Sequence, residues 1–117
     1  MHDFRRLLVW QHARTLARDV DRATRSFPRT DHQVVASQLR RSALSIGANI
    51  AEGCGKASRS EAIRFLKIAA GSAAETEHHL VVATDFEYLH PRLSGDLTGR
   101  AVAVQRMLHA LIRNFPK

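Results

Sequence analysis

The sequence predicts an all-α protein, an antiparallel up-down-up-down four-helix bundle. Three observations predict it. Apolar residues recur every three or four positions in four separate blocks. No segment alternates apolar and polar residues in the way a half-buried strand requires. The blocks are separated by short connections that contain proline or glycine.

The first helix is expected over roughly 7–26. Val9, Ala13, Leu16, Val20, Ala23 and Phe27 step by 4, 3, 4, 3, 4, one apolar stripe on a helix packed nearly antiparallel to its neighbours. Phe27-Pro28 stops it, because the residue before proline disfavours the α region. The second helix is expected over 31–53. Asp31 is its N-cap; Val35, Leu39, Ala43, Ile46 and Ile50 are its stripe. Gly53-Cys54-Gly55 ends it, glycine being free to adopt a left-handed cap.

Ser58 followed by Glu61 is a capping box that starts the third helix, expected over 59–89. Ala62, Leu66, Ala69, Ala73, Thr76, Leu80 and Ala83 carry its stripe. Such a helix reaches ~45 Å and outruns its neighbours, so its end is expected to project or bend near Asp85. His90-Pro91 closes it. Ser94 or Asp96 caps the fourth helix, expected over 95–115, whose stripe is Leu97, Ala101, Val104, Leu108, Leu111 and Phe115.

A chain of 117 residues holds one domain, 1–117, with no linker and no internal repeat. No fully apolar run exceeds the four residues of Leu7 to Trp10, which excludes a membrane-spanning helix. The single cysteine, Cys54, cannot form an intrachain disulfide, and a cytoplasmic location is the expectation. The charge is the unusual quantity. Eighteen basic residues, 15 of them arginine, stand against 11 acidic ones for a net +7.

Several chemistries are suggested and then fail. Glu75-Thr76-Glu77-His78 and Glu87-Tyr88-Leu89-His90 are both Glu-x-x-His, the motif of di-iron bundles. Both lie on one helix, ~18 Å apart along its axis, and the first and fourth helices contain no glutamate. Neither a metal nor a cofactor is expected. Gly53 to Ser58 resembles the end of a phosphate loop, but Ile50 stands where its first glycine belongs and a helix precedes it. No histidine or motif supports Cys54 as a nucleophile. No catalytic residue is assigned, and the chain is expected not to be an enzyme.

The basic surface is the stronger signal. Arg14, Arg18, Arg22 and Arg25 step by 4, 4, 3 along the first helix, diluted by Asp19 and Asp21. Arg106 and Arg113, with Lys117 beyond and His109 between, line the fourth. Residues 1–29 and 92–117 each carry +4, whereas 58–91 carry −2. Neighbouring first and fourth helices would merge their stripes into one face. Arginine suits phosphate because its planar fork makes paired hydrogen bonds, so RNA or DNA backbone is the expected ligand. A solvated, functionless face is the simpler alternative. With seven aromatics, several needed in the core, base-stacking platforms are not expected.

The middle helices are rich in small residues, Ser42 to Ala51 in the second and Ala69 to Ala74 in the third. Glycine inside a helix costs up to ~1 kcal/mol. Close packing within the bundle accounts for such residues, and so does a second packed face used for self-association.

The stretch Gln38 to Gly53, QLRRSALSIGANIAEG, is the most specific in the chain. It continues through Ser60-Glu61, Arg64-Phe65-Leu66, Ile68-Ala69, Gly71-Ser72 and Glu75, with Val9-Trp10-Gln11 and Phe27-Pro28 upstream. This pattern resembles the four-helix-bundle proteins encoded in 23S rRNA intervening sequences, over essentially the whole chain. The resemblance implies a cytosolic, non-enzymatic bundle assembled as a cyclic homopentamer. A related branch, the accessory variability proteins of diversity-generating retroelements, binds nucleic acid and a reverse transcriptase, which implies the same classes of partner. Arg40, Arg41, Asn49, Glu52, Gly53, Gly71, Ser72 and Glu75 form the structural and oligomeric signature. Phe86-Glu87 departs from it where a smaller, glycine-containing step is expected. Arg40 or Arg41 is expected to pair with Glu75, within or between subunits.

Overall fold

The computed structural model describes residues 3–28 and 33–116. A short 3-10 turn, Phe4–Arg6, leads into four helices: α1 (Leu8–Thr24), α2 (Gln33–Cys54), α3 (Arg59–Asp85) and α4 (Pro91–Arg113). Each helix packs on the next in sequence, and α1 closes the bundle against α4. The described residues contain no strand. The molecule is an antiparallel four-helix bundle of 47 × 22 × 19 Å.

The apolar periodicity produces the core directly. The stripes of α1 and α3 are buried at every predicted position. In α2 the innermost position of the first turn is Ala36, and Val35 is half-buried beside the core. Leu16, Leu39, Ile46, Ile50, Leu66, Leu80, Leu97 and Leu108 are fully buried and fill the interior. Truncating any of these to alanine costs about 2–5 kcal/mol.

The α2–α3 turn forms as the capping box predicts, with the Ser58 hydroxyl accepting from Glu61 N–H at 3.2 Å. Gly53 is required there for packing. A Cβ at Gly53 would lie 3.0 Å from the Ala62 carbonyl and 3.3 Å from Phe65 Cβ. Asp31, the expected cap of the second helix, lies outside the described residues.

The α3–α4 connection differs from expectation. Helix α3 ends at Asp85, four residues short of the predicted 89. Glu87 adopts φ 63°, the left-handed conformation that favours glycine. Tyr88 N–H donates to the Ala83 carbonyl at 2.9 Å and Glu87 N–H to the Thr84 carbonyl at 3.0 Å, the two bonds of a Schellman cap. Pro91 is then the first residue of α4, not the end of α3, because its missing N–H has no partner to lose at that position. His90 is the cap, its Nδ1 accepting from Arg92 N–H at 3.1 Å. Neither Ser94 nor Asp96 caps α4. Ser94 turns inward and hydrogen-bonds Thr84 on α3.

Candidate nucleic-acid interface

Helix α1 presents Arg14, Arg18, Arg22 and Arg25 on its outer side, all exposed. Three of the four meet an acid. Arg18 Nε lies 3.1 Å and Arg22 3.8 Å from Asp19. Arg25 contacts Asp21 at 2.6 Å. Asp19 also receives Arg100 from α4 at 2.9 Å, and Arg100 leans on Asp96 at 3.4 Å. The hydrogen bond from Arg18, aided by Arg100, holds the Asp19 carboxyl below its usual range against a smaller opposing effect of burial. One carboxylate thus gathers three guanidinium groups and ties α1 to α4.

Arg14 is different. Its guanidinium lies over Trp10 at 5.6 Å from the ring centroid, and it makes no ion pair among the described residues. Trp10 is braced in turn by an edge contact from Phe4 at 5.0 Å. Arg106 and Arg113 are exposed on α4, and neither makes an ion pair among the described residues. Because α1 and α4 run antiparallel, the Asp19–Arg100 contact sets their register. Arg14 and Arg106 both lie about one and a half turns from it, toward the same end. Arg113, Arg5 and Arg6 lie further along in that direction. The stripe read from the sequence therefore divides. Its α1 C-terminal half is internally compensated, and its uncompensated charge sits where α1 begins and α4 ends. Lys117 lies outside the described residues.

The signature residues take separate roles. Asn49 donates to the Ser45 carbonyl and hydroxyl, both at 2.9 Å. Ser45 and Ser72 hydroxyls meet at 2.9 Å across α2 and α3. Thr76, fully buried, lies 2.9 Å from the Ser42 hydroxyl and 2.8 Å from the Ser72 carbonyl. These small polar residues form a hydrogen-bonded seam. Glu52 pairs with Lys56 at 3.3 Å within the turn region. Gly71 is exposed, with open space where its Cβ would stand.

The expected arginine–Glu75 pair does not form within the chain. Glu75 meets His79 at 3.2 Å, one turn along α3. Arg41 is exposed and unpaired among the described residues. Arg40 turns the other way, toward α1, and donates to the Thr24 hydroxyl at 3.0 Å. The sequence placed the residues at matching heights. It did not reveal their rotation around the helix, which sends Arg40 to the far side of α2.

Three features escaped sequence reasoning. A groove of about 430 Å³ opens between α1 and α2. Trp10, Ala13, Ala17, Ala43, Leu44 and Gly47 line it, together with Arg14, Arg18 and Arg40. Arg100 supplies the link between α1 and α4. Phe65 carries Lys56 at 5.0 Å and Arg64 at 4.6 Å from its ring centroid. The signal for the groove was present as small residues on two adjacent helices, visible once their facing sides are known.

Among the described residues, no three His, Cys, Asp or Glu side chains converge in a way that could hold a metal. Cys54 is buried, and burial pushes its thiol up, which disfavours the reactive thiolate. No helix of the described residues is long and apolar enough to cross a membrane.

Fold and surface together define a small, arginine-rich four-helix bundle. The chain belongs to the 23S rRNA-intervening sequence protein family, whose model matches residues 5–110. It is similar to the crystal structure of a protein of unknown function from the S23 ribosomal protein family of Bacteroides thetaiotaomicron. The TM-score is 0.84 at 27% identity, covering 92% of this chain and 100% of that one. Comparison with curated proteins finds no significant match.

Proposed function

We propose that this protein is a non-enzymatic, cytoplasmic nucleic-acid-binding protein that works as a homo-oligomer, by resemblance a homopentamer. Its ligand is the phosphate backbone of RNA or DNA. Arg14, Arg106 and Arg113 make the principal contacts, and Arg18, Arg22 and Arg25 extend the face. The observation that carries this reading is that Arg14, Arg106 and Arg113 have no acidic partner among the described residues, in a chain of net charge +7. An uncompensated guanidinium is free to form paired hydrogen bonds with phosphate. Self-association repeats the face and turns a weak surface into a multivalent one.

Binding of nuclease-treated protein to mixed-sequence RNA and DNA, followed against salt, tests the reading. Each phosphate contact contributes about −0.9 to the slope of log K on log salt for duplex DNA.

The second reading is a structural or protein-interaction module, with a reverse transcriptase or another protein as partner. The open apolar groove between α1 and α2 favours it. A partner that stays bound through nuclease treatment distinguishes it from the first.

A further inference from the structure

We infer that the α1–α2 groove is the socket for α3 of a second copy of this chain, with Arg40 pairing with Glu75 and Leu44 seating over Gly71 across the contact. This rests on the self-association proposed above and names its surfaces.

The first observation is the state of Arg40. Its side chain is half-buried beside an apolar groove, and its hydrogen-bond partner is the neutral Thr24 hydroxyl. Among the described residues no carboxylate pairs with it, and Asp21, which also lines the groove, is engaged by Arg25. A guanidinium has five donors, and a partly desolvated one is stabilised by a carboxylate more than by a hydroxyl. The second observation is Leu44, which lines the groove and is 66% exposed. It protrudes from α2 four residues beyond Arg40, ~6 Å along the helix.

The complement is on α3. Glu75 keeps about half its side chain exposed and is contacted by His79 from its own helix. Gly71 lies one turn before it, exposed, with nothing within 4 Å of its absent Cβ. A glycine in a helix interior is costly, and packing inside this bundle does not call for this one. Ile68, 40% exposed, continues the same edge. The spacings match. Arg40 and Leu44 are four residues apart, as are Glu75 and Gly71. Run antiparallel, α2 and a partner's α3 bring the arginine to the carboxylate and the leucine to the glycine at once. The charges agree as well, because Arg40 is the half-buried cation of the groove and Glu75 belongs to a segment, 58–91, that carries −2.

The socket and the α3 edge are different surfaces on adjacent sides of the bundle. Such a contact is heterologous, and a heterologous contact builds a ring where its rotation closes and a filament where it does not.

Light scattering on nuclease-treated full-length protein tests this. The wild type is expected to be assembled. Arg40→Glu, Glu75→Arg and Leu44→Arg are each expected to lower the mass to the 13.1 kDa of one chain, with helical circular dichroism unchanged. The double variant Arg40→Glu/Glu75→Arg is expected to regain the wild-type mass. If Arg40→Glu alone loses helicity, the two substitutions at exposed sites, Leu44→Arg and Glu75→Arg, decide. A monomeric wild type overturns self-association itself. An assembled wild type whose single variants stay assembled, or whose folded double variant stays monomeric, overturns this interface and leaves self-association standing.

Discussion

Thr76 and Ser42 meet at 2.9 Å inside the α2–α3 interface, with Thr76 fully buried. The Thr76 hydrogen is shared between Ser42 and the Ser72 carbonyl, and Ser42 donates onward to the Leu39 carbonyl at 3.1 Å. Each hydroxyl is satisfied, so the seam fixes the register of two helices without leaving a buried polar group unpaired. Thr76→Val keeps the volume and removes the bond. It is expected to cost about 1 kcal/mol, read as a lower denaturation midpoint at unchanged slope.

Two glycines on the same pair of helices are expected to respond oppositely to alanine. Gly53→Ala forces a methyl to 3.0 Å from the Ala62 carbonyl, where neither backbone yields cheaply. A loss of about 1–3 kcal/mol is expected. Gly71→Ala meets open space within the chain and is expected to stabilise it by about 0.5–1 kcal/mol. Urea melts at a concentration where the chain is monomeric distinguish the two, and a Gly53→Ala variant as stable as wild type would contradict the packing described.

Glu87→Gly is expected to raise stability by roughly 1 kcal/mol, because Glu87 holds a left-handed backbone, φ 63°, in the cap of α3. Thermal melts of the variant against wild type check it. A lower melting temperature would contradict the assignment of a Schellman cap there.

Asp19 supplies a pH signature. Its folded carboxyl titrates below the ordinary value, so the folded state binds fewer protons and is favoured by ionisation. The resulting stability is present above about pH 4, the unfolded value, and is lost as pH falls through the lower folded one. Asp19→Asn is expected to be less stable than wild type at pH 7, with a smaller drop on acidification. Parallel melts between pH 7 and pH 3 show whether the two curves converge.

Much of the fold was legible because helix periodicity is a local property. Every stripe residue of α1 and α3 is buried where the spacing placed it. The glycine-favouring step at Phe86-Glu87 was legible too, as a departure from pattern, and Glu87 is the residue that carries the strained backbone. The end of α3 is not legible, because a proline after a helix serves equally as the stop of one helix or the first residue of the next, and Pro91 is the latter. The surface was legible in composition but not in pairing. Asp19 was seen beside its own helix's arginines, yet its contact with Arg100 depends on the register of α1 against α4. Arg41 is expected level with Gly71 to Glu75, yet neither it nor Arg40 reaches Glu75 within the chain, because one position rotates a side chain by about 100° and Arg40 faces α1.

The proposed function turns on the uncompensated arginines binding nucleic-acid backbone. The most direct test is the salt dependence of binding to a mixed-sequence duplex, for wild type and for Arg14→Glu/Arg106→Glu/Arg113→Glu. Wild-type affinity is expected to fall linearly on logarithmic axes, with a slope shallower in the triple variant by about one unit for each lost contact. A nuclease-treated wild type that fails to bind at low salt, or a folded triple variant with unchanged affinity and slope, would contradict it.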